Sequence, residues 1–279
     1  MQGARFVRQL LCLLCLSLLI SGVFAQAAAS KDYEPVVGQE GKDVIWVPTA
    51  QALVDRMLDL ANVVAQDYVI DLGSGDGRTV ITAAKRGARA LGIEYEPEMV
   101  ALSIRNAAKE GVSDKAQFIK ADLFESDFSQ ATVITMFLLP DINLKLRPII
   151  LDLKPGTRIV SNSFTMGDWI ADKVSTVSET EGCSTYCTAY LWIVPAKVEG
   201  AWKLPQGELT LKQSYQNFSG SLRTGAAVTK ISNGKLQGDQ ISFNVGDVQY
   251  TGRVSGKAMQ GTFKAGGSTT KWTATRAGK

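Results

Sequence analysis

The stretch VIDLGSGDGRTV, residues 69–80, sets three alternating glycines between an apolar run and a segment of helical character. A dinucleotide-binding turn needs G-x-G-x-x-G opening a helix. Here Gly73, Gly75 and Gly77 run G-x-G-x-G, and Arg78 stands where the third glycine of that pattern belongs. A phosphate loop ending in G-K-[ST] is absent as well. Asp71 lies two residues before the first glycine, where it would repel a pyrophosphate. It suits a ligand with cationic or hydrogen-bond-donating groups. A plain strand-to-helix turn, using glycine for its dihedral freedom, is the alternative reading.

Two more acids recur downstream. Glu94, in LGIEYEP (91–97), stands at the end of the second expected strand. A carboxylate there can accept hydrogen bonds from both hydroxyls of a ribose; a surface glutamate is the plainer account. Asp122, in IKADLF (119–124), ends the third, where a turn or cap aspartate competes as an explanation. Open α/β sheets bind ligands at the carboxyl ends of their strands, which is where all three acids fall.

The surrounding chain supports such a sheet. After the polar 26–43, TAQALVDRMLDLANVV (49–64) has helical spacing, with Thr49 placed to cap it. Strand and helix patterns then alternate: DYVIDLG, GRTVITAAKRG, ARALGIEYE, PEMVALSIRNAAKEG, AQFIKADLF, ATVITMFLL, INLKLRPIILDL and TRIVSNSF. Alternation of this kind implies a Rossmann-like, mainly parallel seven-stranded sheet with helices on both faces. The last two strands, around 173–178 and 187–195, are joined closely enough for an antiparallel hairpin at the edge. Past a boundary between about 198 and 206 the helical periodicity stops. The turn signals SNGK, VGDV, SGKA and AGGS recur about every ten residues, predicting a small antiparallel all-β sheet or barrel. QISFNV (240–245) alternates Ile241, Phe243 and Val245 with polar neighbours, and Tyr250 and Trp272 read as core. The expected division is a signal over 1–25, a flexible lead-in over 26–43, an α/β domain over 44–200 and a β domain over 201–279.

VIDLGSGDG resembles motif I of the class I S-adenosylmethionine-dependent methyltransferases. The resemblance implies that the turn Gly73, Ser74, Gly75 and Gly77 lets the backbone approach S-adenosylmethionine closely. It also implies that Asp71 holds the amino-acid end, Glu94 the ribose, and Asp122 with the Leu123 amide the adenine edge. A narrower series follows in order: WVPT (46–49), GIEYEP (92–97), MFLLPDINLKLRP (136–148), LKPGTRIVSNSF (153–164) and GDW (167–169). It is similar to a bacterial subgroup related to the mitochondrial protein-lysine methyltransferases that modify the c-ring protein of ATP synthase. That likeness spans roughly 44–170, makes a protein lysine amine the candidate acceptor, and puts Thr49 on the cofactor site. The Asn/Asp-Pro-Pro-aromatic grip of amide and exocyclic-nitrogen methyltransferases is missing, since the segment reads FLLPD (137–141). Asp141 opens a helix there, with contact to a substrate amine as the other reading. No catalytic residue stands out; Tyr95, Asp141 or water could take the proton.

Composition narrows the field further. The 279 residues carry 30 basic and 27 acidic side chains and no histidine. The near-neutral balance gives no case for nucleic acid as partner. The missing imidazole excludes Ser-His-Asp and Cys-His machinery and histidine-ligated zinc, and no metal site is expected. In-line methyl transfer is compatible with this, because much of its catalysis comes from positioning. MQGARFVRQ (1–9), the apolar LLCLLCLSLLISGV (10–23) and VFA before Gln26 read as a cleaved export signal, pointing to the periplasm or cell envelope. An uncleaved anchor, which would place the chain at a membrane, or an organelle address is the alternative. Cys183 and Cys187, in CSTYC, read first as a disulfide of an exported protein, with a redox pair or half of a metal site as the other reading. Because S-adenosylmethionine is made in the cytosol, a second functional reading stays open: an exported non-catalytic binder that keeps the α/β core and uses its β domain.

Overall fold

A computed structural model of the chain describes residues 33–278, of which those from Glu34 onward form one compact unit. The expected signal and its cleavage site lie outside the described residues.

Helix α1 (Gln51–Leu60) precedes an alternating series: β1 (Tyr68–Leu72), α2 (Arg78–Lys85), β2 (Arg89–Glu94), α3 (Pro97–Lys109), β3 (Ala116–Lys120), β4 (Val133–Met136), α4 (Pro140–Leu151) and β5 (Arg158–Asn162). An edge hairpin of β6 (Lys173–Thr176) and β7 (Thr188–Ile193) follows. The strands form one seven-stranded sheet ordered β3-β2-β1-β4-β5-β7-β6. β1 to β5 run parallel, and β7 is antiparallel to both β5 and β6. Successive side chains on a strand point to opposite faces. Val69, Val133 and Val160 accordingly pack with Leu53, Leu58, Val80 and Ala107 of α1, α2 and α3. Ile70, Ile134 and Ile159 pack with Ile142, Leu146 and Ile150 of α4 and with Trp169 and Trp192. The Rossmann-like sheet with helices on both faces is therefore as the alternation implied.

The C-terminal strands β8 (Gly200–Leu204), β9 (Gly207–Ser214), β10 (Asn217–Thr224), β11 (Ala227–Gln237), β12 (Gln240–Val245), β13 (Val248–Ser255), β14 (Ala258–Ala265) and β15 (Ser268–Arg276) close into an eight-stranded antiparallel barrel. Closure leaves no free sheet edge. Its interior is filled by Trp202, Phe218, Phe243, Tyr250 and Trp272, with Phe243 and Tyr250 stacked at 4.9 Å. One turn signal marks something else. SNGK lies inside β11, where Asn233 takes a φ of +54° and the ladders to β10 and β12 both shift register. It is a β-bulge, which bends a strand and steepens its twist as barrel closure demands.

Candidate functional site

The glycine turn leaves β1 with Gly73, Gly75 and Gly77 all in the left-handed region, at φ of +74°, +53° and +82°. Only glycine adopts this repeatedly at no steric cost. The turn is held from several sides. The N–H groups of Gly73 and Ser74 donate to the Ile93 carbonyl at 2.9 and 3.1 Å. From α3, Ser103 Oγ donates to the Gly75 carbonyl at 2.8 Å and Asn106 Nδ2 to that of Asp76 at 2.9 Å. Arg78 reaches back to the Thr49 carbonyl at 2.7 Å while pairing with Asp76.

A cavity of about 570 Å³ opens above this turn, across the carboxyl ends of the parallel strands. Asp71, Gly73, Ser74, Gly75, Glu94, Asp122, Leu123 and Thr49 all line it. Gly77 does not. It is the N-cap of α2, and a Cβ on it would stand 2.7 Å from the Phe118 ring and 2.9 Å from Ser103 Cβ. Its role is close packing of turn on sheet rather than contact with a ligand. Thr49 also departs from its cap reading: Ala50 is the N-cap of α1, without a side-chain cap bond, and Thr49 Oγ1 accepts from Asn162 Nδ2 at 3.2 Å. Asp141 lies exposed in the first turn of α4, outside the lining.

The three acids differ in their surroundings. Asp71 is buried and accepts from Thr135 Oγ1 at 2.7 Å. Burial pushes its carboxyl up to about 7, against the Thr135 hydrogen bond and helped by the charges of Glu94 and Asp76. Glu94 Oε2 accepts from the Gly75 N–H at 2.8 Å, and Oε1 from the N–H groups of Tyr95 and Glu96 at 2.8 and 3.1 Å. Asp122 lies two residues beyond β3 and accepts from the Phe124 N–H at 2.9 Å, an ordinary turn aspartate in that respect. It also pairs with Lys42, whose ammonium holds the carboxyl below its usual range.

Sequence reasoning passed over the segment that carries Lys42. Residues 38–46, partly inside the expected flexible lead-in, form a hairpin in which Gly38 and Trp46 N–H groups donate to the Trp46 and Gln39 carbonyls, each at 2.9 Å. The hairpin walls the cavity. The Lys42 ammonium stands 4.7 Å from the Tyr95 ring centroid, and a Cβ on Gly75 would come within 2.8 Å of Trp46 Nε1. Its signal in the sequence is the Trp46 of WVPT. Phe137, Phe164 and Tyr186 were missed too, although each lines the cavity.

S-adenosylmethionine fits this chemistry. Among the described residues that line the cavity are three carboxylates at strand ends, while Lys42 and Arg78 are both paired with acids. The left-handed glycines bring bare backbone to the same space. Such a lining suits a cationic, hydroxyl-bearing ligand and opposes a phosphate.

Known proteins agree. Residues 71–173 match the family described as the ANTKMT methyltransferase domain. The chain is 42% identical over 154 residues to a protein-lysine N-methyltransferase of Saccharolobus islandicus, covering 54% of this chain and 94% of that protein. It is 33% identical over 103 residues to the adenine nucleotide translocase lysine N-methyltransferase of Mus musculus, covering 36% of this chain and 45% of that one. A crystal structure described as an RNA methyltransferase from Salinibacter ruber, in complex with S-adenosyl-L-homocysteine, is 47% identical with a TM-score of 0.51, over 55% of this chain and 96% of that one.

Proposed function

The chain belongs to the class I S-adenosylmethionine-dependent methyltransferases, and on that premise we propose that its acceptor is the ε-amine of a protein lysine. The observation that carries the proposal is the 42% identity to a protein-lysine N-methyltransferase across nearly that protein's full length. The cavity is consistent with it. Asp71, Glu94 and Asp122 follow one another along β1, β2 and β3, so a cofactor laid across them turns its amino-acid end toward the middle of the sheet. The cavity continues over β4 and β5, where Met136, Phe137, Leu138 and Phe164 offer an apolar channel for an alkyl stem.

When bound, S-adenosylmethionine would supply an electrophilic methyl on its sulfonium; a neutral amine nitrogen attacking that carbon in line would form the N–C bond as the C–S bond breaks, giving S-adenosylhomocysteine and a methylated amine, with one proton lost from the nitrogen. The residues of this chain contribute mainly position and exclusion of water. Asp71 and Glu94 fix one end, the hairpin 38–46 covers it, and the aromatic side chains confine the other.

The Cys183–Cys187 disulfide supports a further part of the reading, work in an oxidising compartment such as the periplasm or envelope. N-terminal sequencing of the chain recovered from its own cells tests that part: a start near Gln26 supports export, and a retained Met1 opposes cleavage.

The acceptor is tested with methyl-labelled S-adenosylmethionine, the purified full chain, and protein and RNA fractions of the source cell. Label entering protein, and lost when lysines are first blocked by reductive dimethylation, is the expected result. Label in RNA instead would overturn the lysine reading in favour of the chemistry named for the Salinibacter relative.

A further inference from the structure

Three aromatic rings meet at the far end of the cavity. Phe137 follows β4, Phe164 follows β5, and Tyr186 sits in the loop entering β7. Their ring centroids lie 6.0 Å apart for Phe137 and Phe164, 5.2 Å for Phe137 and Tyr186, and 5.9 Å for Phe164 and Tyr186. The rings contact one another pairwise, and all three residues line the cavity. The three centroids are close enough together that a point about 4 Å off their common plane would lie within about 6 Å of all of them, the range over which a ring face attracts an ammonium.

The backbone beneath this surface is held in costly conformations. Ser163 and Tyr186, neither of them glycine, have φ of +58° and +56°. Such residues persist only where their surroundings over-determine them, and they cluster at ligand sites. Ser163 is fixed by its N–H donating to the Thr188 carbonyl at 2.7 Å, and the loop behind it by Asn143 Nδ2, 3.3 Å from the Phe164 and Thr165 carbonyls. Tyr186 is fixed covalently, since the Cys183–Cys187 disulfide closes the five-residue loop around it. Tyr186 stays 46% exposed although its ring packs on two neighbours.

We propose that Tyr186, held by the Cys183–Cys187 loop against Phe137 and Phe164, is a specificity-determining residue that completes a cation-binding wall for the acceptor's alkylammonium group. The inference rests on the protein-lysine reading for the identity of the acceptor. A lysine amine arrives protonated and leaves as a methylammonium, so the same wall receives both. Each added methyl makes the head larger and less hydrated while keeping its charge, which strengthens the contact and favours retention for another round. Cys183 and Cys187 are positioning residues, acting through Tyr186.

The test uses the full chain saturated with S-adenosylhomocysteine and two probes: the methylamide of Nα-acetyl-Nε-trimethyl-lysine, and its uncharged isostere with carbon in place of the quaternary nitrogen. Calorimetry is expected to show the cation binding more tightly than the isostere. Tyr186→Phe should retain that affinity, while Tyr186→Leu and the pair Cys183→Ser, Cys187→Ser each lose about tenfold. S-adenosylhomocysteine affinity, measured alongside, stays within twofold and certifies the fold of each variant. With a lysine peptide that the enzyme methylates, KM rises in the same variants while kcat changes less. Equal binding of the two probes, or wild-type affinity in Tyr186→Leu, overturns the wall and leaves the lysine reading intact. Cation binding that depends on Tyr186, in an enzyme that methylates no lysine, supports the wall and removes the lysine acceptor.

Discussion

At the scale of single residues, Asp71 is the group whose environment most alters its chemistry. It is buried beneath the glycine turn, with Thr135 as hydrogen-bond donor and the charges of Glu94 and Asp76 nearby. Its carboxyl therefore titrates at about 7 rather than near the ordinary 3.8. The sign follows from linkage. Between those two values the folded state holds a proton that the unfolded chain has released, so Asp71 makes stability decline as pH rises from about 4 through about 7. A ligand with an ammonium group reverses the preference, because it stabilises the carboxylate. Affinity for S-adenosylhomocysteine is expected to rise about tenfold per unit as pH climbs toward 7 and then to level off, with proton release on binding at pH 6. Calorimetry in buffers of different ionisation enthalpy reads that proton directly. Asp71→Asn should bind about tenfold more weakly at pH 8 and release none; an unchanged pH profile in this variant would place the titrating group elsewhere.

Among elements, legibility followed how local the signal was. The positions of the glycine turn, Asp71 and Glu94 around the cavity could be read because each follows from a strand end, and strand ends are set by the patterns of VIDLG and LGIEYE themselves. The disulfide pair was equally local. Thr49 lines the cavity as expected, but its cap role was not legible: Ala50 is the N-cap, and the Thr49 hydroxyl accepts from Asn162, over a hundred residues away. SNGK had the composition of a turn, and only the continuation of both ladders through β11 reveals a bulge. The hairpin 38–46 was hidden because it owes its order to tertiary contacts, Lys42 with Asp122 and Trp46 on Gly75, rather than to any periodicity. Those contacts lead to a prediction for the hairpin as an element. The Lys42 ammonium ties it to Asp122, at the β3 end of the cavity, and the Tyr95 ring lies under the same charge. Lys42→Met keeps the stem and removes the tie, so S-adenosylhomocysteine should dissociate a few-fold faster, as exposed ion pairs and cation–π contacts are individually modest. Salt should accelerate release from the wild type and have little effect on the variant. Surface plasmon resonance at low and high ionic strength measures both, and equal off-rates throughout would deny the hairpin a part in retaining the ligand.

The whole molecule separates binding from support. Among the described residues none beyond Tyr186 lines the cavity, so the barrel builds no part of it. Its attachments lie at the other end of the sheet. The Ala196 N–H donates to the Gly238 carbonyl at 2.8 Å beside Gly156, just ahead of β5, and Gln216 Nε2 donates to the Ile170 carbonyl at 2.7 Å. Tyr215, in the turn between β9 and β10, concentrates the contact. Its ring stacks on Trp169 at 5.8 Å, its hydroxyl donates to Asp168 at 3.0 Å, and Arg147 grips the same carboxylate. Trp169 belongs to the α4-side core of the sheet, and Trp192 Nε1 donates to its carbonyl at 2.7 Å. The junction is thus continuous with that core, and sheet and barrel should unfold together. Tyr215→Ala removes the stacked ring and leaves Asp168 with one partner fewer, a loss of about 2 kcal/mol. For a unit of this size that corresponds to a fall in Tm of about 4–8 °C. A single calorimetric transition shifted by that amount, with S-adenosylhomocysteine affinity within twofold of wild type, is the expected outcome. Two resolved transitions in the wild type would show that the barrel is a passenger with its own stability. A large loss of ligand affinity in Tyr215→Ala would mean instead that the junction reaches the cavity through the β5–β6 segment that carries Phe164.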